Sequence, residues 1–159
     1  MRHSLALFRH ISPLSVLLPF LFLTMSGCST RHAMPDGGHS PAGPQLFNTT
    51  WRAVEILGRK ASFFPGQKID AHFVLHSGDG RVSGSSGCNN LFGGYRRQPG
   101  RLSFSSLGTT RMACMPSIME QERRFLDAMR TTVSYRISGR RLVLLDSGGR
   151  SVMELIPVR

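Results

Sequence analysis

Acidic residues are scarce in this chain of 159 residues, with 9 Asp and Glu against 20 Lys and Arg. No paired carboxylates stand out for general acid–base work, and no carboxylate cluster offers a hard cation its oxygen ligands. Cysteine is limited to three residues with no CxxC spacing, which removes the usual zinc-site pattern. Neither a phosphate loop nor a dinucleotide fingerprint occurs. Gly84-Ser-Ser-Gly-Cys88 puts a cysteine where a nucleophile elbow needs its second glycine, so that serine-hydrolase motif is excluded. The sequence supplies no nucleophile, base and orienting group together, and it is read as a non-enzyme without cofactor or metal.

Long hydrophobic runs are also missing. The apolar stretch from Ile11 to Thr24 is too short for a comfortable membrane span, yet it follows Arg2 and Arg9 and leads through Ser26 and Gly27 to Cys28. That layout is a bacterial lipoprotein signal, with Met25 where a leucine is usual. Cleavage would leave a diacylated Cys28 as the first residue; the alternatives are an ordinary cleaved signal peptide or an uncleaved anchor. Ser29, rather than an aspartate, directs the expectation to the periplasmic face of the outer membrane. Residues 1–27 are then signal, 28–45 a tether rich in Pro, Gly and Ser, and 46–159 one domain large enough for a single modest core. His32 and His39 in the tether have no carboxylate cluster beside them.

From Cys28 onward 18 basic residues face 9 acidic ones. Outside the cytoplasm this charge disfavours a nucleic-acid partner and leaves anionic envelope components or an acidic protein. With Cys28 given to lipid, Cys88 and Cys114 remain, and an exported pair is expected to be bridged. The loop of 27 residues would contribute ~3.6 kcal/mol by chain entropy. Two free thiols or a metal site are the alternatives.

Short apolar or alternating runs at 51–57, 71–77, 81–84, 102–105, 133–137, 142–145 and 152–156, separated by Gly- and Pro-containing turns, predict antiparallel hairpins. Leu102 and Phe104 should be buried, as should Val133, Tyr135 and Ile137, with the alternate residues wet. His72 and His76 share a strand face ~13 Å apart, too far to chelate one ion. Asn89 and Asn90 suit a tight turn with positive φ. One helix is predicted after Pro116, with Ser117 and Glu120 as a capping box and Ile118, Met119, Phe125, Leu126 and Met129 as its apolar stripe. Glu122 falls inside that stripe. A carboxylate there needs donors, and it reads as a structural clamp between helix and sheet before a ligand contact.

The succession Gly80 to Tyr95 with its Gly-Cys-Asn element, Leu102-Ser-Phe, Thr109-Thr-Arg-Met-Ala-Cys114, Met119 to Leu126 and Tyr135 to Gly149, together with Trp51, resembles the META/HslJ family. The resemblance implies an α+β, mostly antiparallel β domain: a partial barrel of about seven to eight strands with one helix packed on it, common in envelope lipoproteins. It implies no defined enzymatic activity, and by analogy a stress role. It also highlights the Cys88–Asn90 and Thr109–Thr110 segments, near which Glu122 is expected to find its hydrogen-bond partners, with Asn89 and Thr110 as possible contacts. The functional expectation is a monomeric, membrane-anchored lipoprotein that binds an envelope protein or anionic envelope component. A carrier of small apolar ligands in the barrel interior and a pilot-type secretion assembly factor are the alternatives.

Overall fold

A computed structural model describes residues 45–158. The expected signal at 1–27, the expected lipidation site Cys28 and nearly all of the expected tether lie outside the described residues.

Nine strands and one helix follow in order: β1 Trp51–Ile56, β2 Arg59–Lys60, β3 His72–Leu75, β4 Arg81–Ser85, β5 Asn90–Gln98, β6 Arg101–Thr109, α1 Pro116–Thr131, β7 Ser134–Ser138, β8 Arg141–Leu145 and β9 Ser151–Pro157. Every pairing is antiparallel, as short hairpin connections require. The sheet closes on itself because β1 pairs with β3 on one side and β9 on the other, with β2 folded back along β1. Its weakest seam is β6–β7, where Arg101 opposite Ser134 is the single paired position.

Alternation in the strands sends Trp51, Phe73, Leu75, Leu102, Leu144 and Leu155 inward, all fully buried. Helix α1 packs against β1, β6, β8 and β9 and adds Phe125, Ala128 and Met129 to the same core. Phe73 meets Phe104 edge to face at 5.6 Å between ring centres, so the interior is filled by side chains.

Two strands, β2 and β5, are absent from the periodicity reading. Gly84 allows the β3–β4 approach, since a Cβ there would collide with the backbone at His72 and Phe73. The turn into β5 places Gly87, at φ 97°, in the left-handed region. Neither Asn89 nor Asn90 has positive φ, contrary to the turn expectation: glycine takes the strained position, leaving Asn90 free to open β5.

The helix also departs from expectation at its start. Pro116 occupies the first turn, Met115 is the N-cap, and no side chain caps it. Proline there removes one of the donors a cap would satisfy, and Glu120 pairs with Arg123 in place of a capping box. The buried face is rotated from the predicted stripe: Gln121 and Ala128 are inside, whereas Met119 is exposed and Leu126 half-buried. On β7, Ile137 is exposed, because the strand runs past its single pairing with β6 and leaves that flank uncovered.

Candidate functional site

The sequence elements around Cys88, Thr110 and Glu122 converge on one flank of the ring. Ser86 and Asn89 close the β4–β5 turn: the Ser86 N–H donates to the Asn89 carbonyl at 2.9 Å and the Asn89 N–H to Ser86 Oγ at 3.1 Å. This leaves the Asn89 side chain aimed away from the turn, 5% exposed. Its Oδ1 accepts from Thr110 Oγ1 at 2.8 Å and from the Met112 N–H at 2.7 Å. Its Nδ2 donates to both carboxylate oxygens of Glu122, at 3.1 and 3.0 Å. The Met112 N–H fixes the amide's orientation, since only an oxygen can accept from it.

Asn89 therefore joins three parts of the chain, namely the β4–β5 turn, the irregular stretch after β6, and α1. Glu122 is 9% exposed and reaches the turn from the buried face of the helix. Thr110 is exposed, but its hydroxyl is shared between the Asn90 N–H and Asn89. A covalent tie runs beside this polar one: Cys88 and Cys114 are bridged, with Cα atoms 6.0 Å apart.

Two glutamines extend the arrangement, and sequence patterning does not reveal them. Gln121 reads the backbone of Ser62 with both ends of its amide, accepting from the N–H at 2.8 Å and donating to the carbonyl at 2.9 Å. Gln67 accepts from the Phe64 N–H at 3.1 Å and donates to the Ile69 carbonyl at 2.7 Å. Gln121 ties the long β2–β3 connection to the helix, and Gln67 braces that connection internally. The signal that could have found Gln121 is its place between Ile118 and Phe125 on a helix face that has to be buried.

Between that connection and the stretch after β6 lies a cleft of about 660 Å³. Its base is the disulfide, Gly87 and Ser85; one wall is Gln67 to Ile69 and the other Met112 to Met115, with the buried Ile118 behind. Met112 and Met115 are 53% and 51% exposed and Ile69 48%, so the rim is apolar and open to solvent. Lys68 is the one charged residue of the lining. Glu122 does not line the cleft; it holds Asn89 beneath it.

The two strand histidines have local partners: His72 Nδ1 lies 2.9 Å from the Asp70 carbonyl and His76 Nε2 2.7 Å from Ser83 Oγ. Among the described residues no three His, Cys, Asp or Glu side chains are grouped to hold a metal ion.

A ring of antiparallel strands with one packed helix, bearing an apolar flank cleft over a disulfide, defines a small α+β domain. The META domain family matches residues 44–156, and the chain belongs to it. A protein from Burkholderia xenovorans, solved by NMR, is similar at 28% identity and a TM-score of 0.57, over 71% of this chain and 83% of that one. A second NMR structure is similar at 17% identity and a TM-score of 0.52, over 68% and 88% of the two chains. A DUF4847 family protein from Bacteroides vulgatus, a crystal structure, gives 14% and 0.51, over 70% and 93%. The latter two likenesses are of fold alone. Comparison with curated proteins gives no match.

Proposed function

We propose that this META domain is the non-catalytic binding part of a lipid-anchored envelope protein, and that it seats an apolar segment of another envelope protein in the flank cleft. The observation that carries this reading is the pair of exposed methionines, Met112 and Met115, facing Ile69 across a cleft of about 660 Å³. Methionine is flexible and polarizable, and surfaces built from it adapt to apolar partners. The base is pinned by the disulfide and the Asn89–Glu122 contact, so ordering cost falls on the methionine wall alone.

The test is a photo-crosslinking amino acid placed at Met115 in cells, with the same amino acid at Ile137 as an exposed control. A discrete adduct from position 115, absent from 137 and lost on Ile69→Asp, is the expected result. Equal labelling at both positions, or no adduct at 115, refutes the reading.

A second reading keeps the same cleft for a small apolar ligand, because its volume lies in the usual range for such sites. The ring interior is less suited to that role, being filled by Trp51, Phe73, Phe125 and Met129. Native mass spectrometry after gentle extraction separates the two: bound mass of a few hundred daltons marks a carrier, on the order of the ligands such clefts hold.

A further inference from the structure

We propose that the outer face of β5, β6 and β7 binds the phosphate groups of an anionic membrane surface. Antiparallel pairing sets Arg96 opposite Ser103 and Gln98 opposite Arg101, and the row continues from Arg101 to Ser134. Direct partners share a face, and so do residues two apart on one strand. The buried Leu102 points inward between Arg101 and Ser103, which turns this tile of side chains outward. Arg136, two residues beyond Ser134, extends it along β7. A shallow groove of about 440 Å³ runs over Arg96, Gln98, Arg101 and Ser103 at the weak β6–β7 seam.

Charge complementarity selects the occupant. Asp79, Glu120, Asp127, Asp146 and Glu154 each pair with an arginine elsewhere, and Glu122 is bound to Asn89. Among the described residues Arg96, Arg101 and Arg136 have no ion pair, as is also true of Arg52, Arg59, Arg97, Arg111, Arg124 and Arg140, and what sets the three apart is their shared face on adjoining strands. Like charges on neighbouring strands repel, and an array of phosphates relieves that repulsion while accepting from every guanidinium, amide and hydroxyl donor on the tile. The groove is open and its arginines exposed, a geometry that holds a single small anion weakly but gains by engaging several headgroups at once. This face is separate from the flank cleft, and the inference does not depend on the cleft's occupant.

The experiment measures partition of the full chain into phosphatidylglycerol-containing and pure phosphatidylcholine vesicles at low salt. The ratio of the two constants cancels any contribution from apolar segments. An arginine near such a surface is worth roughly fivefold, so R96Q/R101Q should cut the ratio by roughly 25-fold, while R59Q/K60Q on β2 removes the same charge and should cut it less than about threefold. Equal losses in both variants would mean that net charge alone acts. A ratio unchanged in R96Q/R101Q, or near one in the wild type, would equally overturn the site.

Discussion

At the scale of single residues, the Glu122–Asn89 contact carries the sharpest energetic consequence. Both Glu122 oxygens take the same amide nitrogen, and Asn89 is buried, so truncating Glu122 leaves Nδ2 only its longer contacts to Cys88 Sγ at 3.3 Å and the Met112 carbonyl at 3.5 Å. Glu122→Ala is expected to destabilise by about 2 to 4 kcal/mol. Glu122→Gln keeps one acceptor oxygen and should lose roughly half as much. Asn89→Ala should cost at least as much as Glu122→Ala, since it also orphans the Met112 N–H. Urea unfolding of the three variants checks the order, and a Glu122→Ala variant as stable as wild type would remove the clamp. Glu122 is legible in the sequence because a carboxylate inside an apolar helical stripe demands a partner. Asn89 enters as a possible contact through the family resemblance and not through the pattern, because an asparagine beside glycine signals a turn, and its side-chain direction depends on the Ser86 hydrogen bonds that only the folded turn creates.

At the scale of elements, what hid β5 also explains the curvature of the sheet. Gly93 and Gly94 interrupt the apolar alternation, yet they sit mid-strand at a register shift where Leu107 and Ser105 of β6 press close. Phe92 then lies over Gly108, an arrangement that a Cβ would obstruct. Strands whose alternation is intact, such as β3, were open to periodicity; those bent by glycine were not. The stretch after β6 lacks regular structure and is held by Asn89 and the Cys88–Cys114 bridge. Reduction should therefore do more than lower the melting temperature. With ~3 to 4 kcal/mol of loop-closure stabilisation removed, the Met112–Met115 wall should loosen first, seen as faster amide exchange at 112–115 than in α1. The two cysteines should resist alkylation in the native oxidised protein. Native thiols that alkylate readily without reductant, or a melting temperature indifferent to it, would contradict the bridge as a structural element.

At the scale of the whole molecule, the domain's surface and the N-terminal sequence point to the same setting. The described residues carry 16 basic and 8 acidic side chains, and three arginines without an ion pair, Arg96, Arg101 and Arg136, share the outer face of β5, β6 and β7. A basic face alone gives membrane contact that salt weakens, and stable attachment takes a second signal. In the proposed reading Cys28, behind its basic start and short apolar run, would supply that signal in the form of a lipid. Replacing Cys28 with alanine should abolish palmitate incorporation and lipoprotein processing, while the remaining association responds steeply to salt. In wild type, wash with about 1 M salt, where screening reaches only ~3 Å, should leave the protein on the outer-membrane fraction. An alanine variant with unchanged processing and palmitate labelling would show that the apolar segment is an ordinary signal or uncleaved anchor. The arginine face would then have to act without lipid, and its contribution to membrane contact would be the whole of the salt-sensitive part.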